Sequence, residues 1–168
     1  IKKLGKQVPL VRVMPNITVT VGEGISCISP TKGVNSEYIK ITKEIFKAVG
    51  EVVEVPEEMQ DAVTGLSGSG PAYVYTFIKG IALGGIKAGL NEELAYKLAI
   101  QTTLGAAKMA KETSSSLDEL RRAVVSPGGT TAQGLKALEK GRIEDYLTEA
   151  VVRACLLYTS DAADDMQC

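Results

Sequence analysis

The chain changes character once, at Pro56, and that break restricts the folds open to it. Ahead of it, short β-rich runs surround one amphipathic stretch. Val8 to Met14, VPLVRVM, reads as a strand that Pro15-Asn16 stops, and Ile25 to Ile28 as a second. Asn35 to Val49 sets Tyr38, Ile41, Ile45, Phe46 and Val49 on one helical face, with Gly50 as the stop. Glu51 to Val55 alternates like a strand. The order β-β-α-β fits the last part of a doubly wound α/β domain. Beyond Pro56 every periodic stretch is helical. Glu57 to Leu66 has an acidic first turn, Ser67 to Gly70 reads as a loop, and Pro71 opens a helix to about Ala88. Asn91 caps Glu92 to Lys111, and Ser116 with Glu119 forms a capping box for Leu117 to Val125. A second glycine loop opens a helix closing at Gly141, and Ile143 to Ala154 is the last helix. The expected organisation is mixed: residues 1–56 end an α/β domain and residues 57–154 form an all-α domain.

Composition narrows the function. The 168 residues, 45% of them hydrophobic, suffice for one domain or one and a half. A formal net charge of -1 with no basic stripe argues against a nucleic-acid partner. No histidine is present, which removes Ser-His-Asp and Cys-His catalysis and most zinc sites. Cys27, Cys155 and Cys168 have no metal-clip or CxxC spacing, so no metal is expected. Cys27 sits in an apolar run and reads as a buried, inert thiol. An odd cysteine count without a targeting segment suggests a reducing, cytoplasmic setting. The richest apolar stretch, Ala72 to Leu90, is broken by Lys79 and Lys87, so no membrane span is expected.

Both ends are unusual. IKKLGKQVPLVRVMP reads as the tail of a helix running directly into a strand, as if the chain began inside a domain. From Cys155, CLLYTSDAADDMQC loses the helical period and resembles the conceptual translation of a transposase adapter from sequencing libraries. Residues 155–168 are accordingly expected to be a non-native tail; a natural frayed end is the alternative. Gly80, Ala82, Gly84, Gly85 and Ala88 place small residues along one long helix. Close packing inside one chain and an interlocked dimer explain them equally well.

Three short motifs carry the candidate chemistry. Arg12-Val13-Met14-Pro15-Asn16 is a strand running into a sharp stop, and ligands of open α/β sheets lie outside the carboxyl ends of strands. Ser67-Gly68-Ser69-Gly70-Pro71-Ala72 lets backbone approach another group closely before a helix start. It is neither a dinucleotide fingerprint nor a nucleophile elbow. Ser126-Pro127-Gly128-Gly129-Thr130-Thr131 leads into a helix whose first N–H groups make an anion site, worth roughly 0.3–2 kcal/mol from the dipole. Taken singly, these motifs also read as a strand-to-loop turn, a tight helix connection and a Thr-capped helix.

Together, VRVMPN, GLSGSGPAYV and VVSPGGTTAQGL, in this order and spacing, resemble the pyrroline-5-carboxylate reductase family from near Ile1 to about Ala154. The resemblance implies a Rossmann-type dinucleotide-binding domain, of which residues 1–56 are the end, followed by a helical domain that dimerises by interlocking helices. It implies reduction of 1-pyrroline-5-carboxylate to proline by NADPH, or less often NADH. By resemblance, the substrate carboxylate sits on the amides of Gly129, Thr130 and Thr131, within the substrate loop Ser126, Gly128, Gly129, Thr130 and Thr131. Thr131 faces the imine nitrogen as the catalytic residue. Met14, Pro15 and Asn16 line the nicotinamide end, and Ser69, Gly70 and Pro71 form a supporting loop. The family's N-terminal glycine fingerprint has no counterpart here, so this chain alone is expected to be inactive. Where the family usually continues MPN with Thr-Pro-Ala, this chain has Ile17-Thr18-Val19, which leaves side-chain contacts beyond Asn16 open. Two rivals remain: a non-enzymatic helical module that binds small carboxylates, and another β-hydroxyacid-type dehydrogenase. The latter would carry a catalytic lysine, for which Lys79 and Lys87 are candidates outside that family's motif.

Overall fold

The computed structural model describes residues 8–164, with side chains through residue 156. The expected N-terminal helix tail, along with Cys168, lies outside that range. The chain forms two compact units. One runs to Pro71 and takes back the segment from Thr148; the other is Ala72–Leu147.

The first unit is built on a three-stranded sheet in the order β1 (Val11–Pro15), β2 (Gly24–Pro30), β3 (Gly50–Glu54). β1 pairs antiparallel with β2, Met14 opposite Cys27 and Pro15 opposite Ser26; β2 pairs parallel with β3. β1 starts later than the sequence suggests and includes Pro15. An edge strand tolerates a proline, which has no N–H to donate to a neighbour. A turn of 3-10 helix, Ile17–Val21, joins β1 to β2. Helix α1 (Ser36–Lys47) crosses from β2 to β3, and its Asn35 cap accepts from the Glu37 N–H at 2.9 Å. Gly50 is not the helix stop but the first residue of β3. At φ 145° it lies so close to the Gly24 carbonyl that any Cβ would overlap it. Central β2 is the buried strand: Ser26, Cys27, Ile28 and Ser29 are all inside. Burial pushes the Cys27 thiol pKa up, as an inert thiol requires. Ser29 Oγ donates to the Val55 carbonyl at 2.7 Å and accepts from Gln60 Nε2 at 2.6 Å.

The helical part begins with a 3-10 turn, Glu57–Met59, and the short α2 (Gln60–Val63). The expected loop Ser67–Gly70 is not a loop. Thr64–Gly68 is a π-helical turn, closed by the Ser69 N–H donating to the Thr64 carbonyl at 3.0 Å, and α3 (Gly70–Lys87) follows directly. The cause is Pro71, which supplies no N–H and whose ring crowds the preceding turn; widening that turn lets the helical path continue. The compact unit therefore extends past Pro56 to Pro71.

In the second unit, α3 leads to α4 (Glu92–Glu112), whose Asn91 cap accepts from the Leu94 N–H at 2.9 Å. Ala82, Ala95 and Ala99 form the buried cluster between them, with Ile78, Ile86 and Tyr96 packed on it. Gly85 is in contact with Leu90 and Ala95, while Gly80 and Gly84 face open space. α5 (Leu117–Ala123) begins on the expected capping box of Ser116 and Glu119. α6 (Thr130–Lys140) ends at Gly141. The last helix, α7 (Ile143–Asp164), runs ten residues beyond its expected end at Ala154. Cys155 lies within its helical period: in the first unit, Val151 and Cys155 pack against Gly65.

Candidate functional site

The end of β1 and the π turn meet. A Cβ on Gly68 would lie 2.9 Å from Met14 Cε, so the second motif packs on the first. On its other side the same turn meets α7: a Cβ on Gly65 would lie 2.9 Å from the Val151 carbonyl oxygen and 3.0 Å from the Cys155 nitrogen. These glycines hold the turn between a strand and a helix; by contrast, a Cβ on Gly70 would meet nothing. Ser69, Gly70 and Pro71 thus sit in a helical passage and not on a flexible loop.

Asn16 follows β1 and is half-buried, as is Met14; Pro15 is exposed. Asn16 Oδ1 accepts from Thr18 Oγ1 at 2.7 Å and from the Ile25 N–H at 3.2 Å. The departure at Ile17-Thr18-Val19 therefore supplies a hydroxyl that fixes the Asn16 amide, leaving its Nδ2 to donate. Sequence reading passed over Thr18. A hydroxyl two residues after an Asn is the local signal that marks it. Because β1 runs antiparallel to β2 and β3, Met14-Pro15-Asn16 lies beside the start of β2, opposite the carboxyl ends of those two strands.

The third motif lies in the second unit. Gly128 has φ 71°, a conformation that glycine takes without strain. Gly129 is the N-cap of α6, and no side chain caps the helix, so the Thr-cap reading does not hold. The Gly129 N–H, expected to face the substrate, donates instead to the Ser126 carbonyl at 3.0 Å. The first helical bond of α6 is Gln133 N–H to the Gly129 carbonyl at 3.3 Å. Thr130, Thr131 and Ala132 are then the N–H groups with no partner within the helix. The missing side chain at Gly129 makes room for Ser126 Oγ, which lies so close that a Cβ would overlap it. Thr131 is half-buried; Ser126, Gly128 and Thr130 are exposed. None of these residues titrates near neutrality. Among the described residues, no group of three or more His, Cys, Asp or Glu is placed to hold a metal, and no helix is long and apolar enough to cross a membrane.

A short mixed sheet with one crossover helix, leading into a run of helices, places the chain in the class of folds that join the end of an α/β domain to a helical domain. Within that class, the family description "Pyrroline-5-carboxylate reductase dimerisation" matches residues 57–159. The pyrroline-5-carboxylate reductase of Methanosarcina acetivorans is 50% identical over 145 residues, 86% of this chain and 54% of the relative. That of Arabidopsis thaliana is 49% identical over 144 residues, 86% of this chain and 52% of the relative. Among solved structures, the Plasmodium falciparum pyrroline carboxylate reductase with NADP bound superposes with a TM-score of 0.86 at 40% identity, covering 92% of this chain and 64% of that one. The Coxiella burnetii pyrroline-5-carboxylate reductase gives 0.89 at 37%, covering 95% and 59%. The chain belongs to the pyrroline-5-carboxylate reductase family. It spans about half the length of the curated relatives it matches.

Proposed function

We propose that the protein to which this chain contributes reduces 1-pyrroline-5-carboxylate to L-proline in the cytoplasm, as a homodimer. The observation that carries the reading is the start of α6, where a glycine turn presents uncapped N–H groups beside two threonines. A small carboxylate accepts from the amides of Thr130 and Thr131, favoured by the dipole of an eleven-residue helix. Gly128 and Gly129 shape the turn, and the Ser126 hydroxyl over Gly129 offers the carboxylate a further donor. Thr131 is the side chain assigned to the imine nitrogen. Its hydroxyl is too weak an acid to drive protonation, so it orients an iminium that arrives already protonated.

The residues at the end of β1 suit the nicotinamide end of a dinucleotide. Asn16 keeps an amide donor free for a carboxamide oxygen, and Met14 offers apolar surface beside Pro15. NADPH or NADH, when bound, supplies a hydride to the C=N carbon. No GxGxxG cradle for the pyrophosphate occurs in the sequence.

The test uses a chain completed at its N-terminus with the corresponding segment of the Methanosarcina acetivorans relative. NADPH oxidation dependent on pyrroline-5-carboxylate is expected from the completed chain and not from the 168 residues alone. Thr131→Ala is expected to lower kcat/KM roughly ten- to a hundredfold, the worth of one hydrogen bond to a charged group. As Thr131 is not the helix cap, its denaturation midpoint should stay close to wild type. Wild-type kinetics in Thr131→Ala would retire its assignment.

A further inference from the structure

Within the single chain neither α5 nor α6 contains a fully buried residue, so an apolar core of that chain is not what joins them. A charged side chain spans the gap instead. Arg121, on the last turn of α5, pairs through Nη2 with Glu139 on the last turn of α6. Its Nη1 lies 3.6 Å from Glu144 Oε1 on the first turn of α7. One guanidinium thus pairs with carboxylates on two other helices, through a hydrogen bond to Glu139 and through charge to Glu144, a span that its planar fork suits better than a point-like ammonium. The aliphatic part of Arg121 lines a groove with Leu135, Leu138 and Ile143. Its neighbour Arg122 is exposed and contributes to no such bridge.

We propose that Arg121 is a positioning residue for the reaction assigned to the loop, an inference that rests on that assignment. By tying α5 to the far end of α6, Arg121 sets the direction in which the Thr130 and Thr131 N–H groups point. Loss of the tie leaves both helices formed, because Ser116 and Glu119 cap α5 and the α6 ladder is internal. What loosens is the angle between them, and with it the anion site. Substrate affinity should therefore suffer while the nicotinamide end, in the other unit, does not.

Two measurements decide it. In the completed chain, Arg121→Met is expected to raise KM for pyrroline-5-carboxylate about three- to fivefold, the upper end of what a partly exposed ion-pair network is worth. KM for NADPH should stay within about twofold, with kcat changed less than the substrate KM. Arg122→Met, the same charge change one residue on, should leave kinetics unchanged, and Arg121→Lys should recover part of the loss by keeping one pair. In the 168-residue chain itself, Arg121→Met should speed amide hydrogen exchange over residues 125–132 about three- to fivefold, without affecting α3 and α4. The proposal fails if Arg121→Met matches Arg122→Met in both readouts, or if both KM values rise together as the melting temperature falls. If the completed chain shows no turnover at all, the substrate reading of the loop fails. Exchange then still decides whether Arg121 holds the loop: faster exchange keeps that role, and unchanged exchange removes it.

Discussion

At Gly129 the absence of a side chain matters for a neighbour within the loop. Its φ of -73° is one that any residue adopts, so backbone freedom is not the reason for glycine there. A Cβ would displace Ser126 Oγ and come within 3.2 Å of the Ser126 carbonyl oxygen. Gly129→Val in the completed chain should therefore raise KM for pyrroline-5-carboxylate far more than KM for NADPH. Adding Ser126→Gly removes the hydroxyl that the new side chain strikes, so the double variant should lose less than the sum of the two single losses. Additive losses in steady-state kinetics would show that Ser126 and Gly129 act independently. The sequence places glycine and hydroxyls at this helix start correctly. It does not reveal that Gly129 N–H is already bonded to Ser126, because that depends on how the loop closes. Thr18 and Arg121 escaped sequence reading for a related reason. Each acts through a partner, Thr18 at Asn16, where the two-residue spacing is a weak local signal, and Arg121 at Glu139, eighteen residues away, where no local pattern marks the pairing.

Individual elements were most legible where their ends are decided locally. Asn91 and Ser116 cap as their sequence positions predict, since a cap needs only its own first turn, and Asn35, which the apolar spacing places inside the helix, is the cap of α1. In α5 this has a pH signature. The N–H and hydroxyl of Ser116 donate to the Glu119 carboxylate and hold its pKa below the usual carboxylate value. A carboxyl depressed in the folded state stabilises above its unfolded pKa, and that contribution disappears as pH falls through the folded pKa. Urea titrations of the chain and of Glu119→Gln should thus differ near neutrality and converge in acid; a constant gap would disprove the linkage. In the Ser67–Gly70 stretch serine and glycine signal a break by composition, whereas the turn that Pro71 widens stays helical and packs against Met14 and α7, distant in sequence. Gly65→Ala directs a methyl at the backbone of Val151 and Cys155, which cannot move aside as a side-chain tip can. It should destabilise the chain by about 1–3 kcal/mol. Gly70→Ala meets nothing and should be neutral or gain up to about 1 kcal/mol by stiffening a helical residue. Equal denaturation midpoints for these two variants would remove the packing argument for the turn.

Along the whole chain, the period of the apolar residues changes at Pro56, whereas the compact units part at Pro71 and the segment from Thr148 belongs with the first. Whether the small residues of α3 serve one chain or two was open, and the structure separates them: Gly85 receives α4, whereas Gly80 and Gly84 receive nothing. The buried hydrophobic residues of the second unit are three alanines, Ala82, Ala95 and Ala99. Its larger apolar side chains lie open, including Tyr75 at 60% exposure, Leu104 at 58% and Leu98 at 48%. With Ile78, Ile86 and Tyr96 only partly covered on that cluster, the unit leaves much of its apolar surface open, which is the area the proposed homodimer would cover. A second copy of the same helices offers apolar area of the same kind and closes by two-fold symmetry. Val74, Phe77, Ile81 and Gly84 follow helical spacing along α3, with the open Gly84 allowing close approach. Light scattering at micromolar concentration should give about twice the 17.8 kDa chain mass. Ile81→Glu, 41% exposed in the single chain, should shift the species toward monomer and lower the melting temperature in a concentration-dependent way. A well-folded wild-type monomer at that concentration, or an Ile81→Glu variant that stays dimeric with unchanged melting, would remove α3 from the interface.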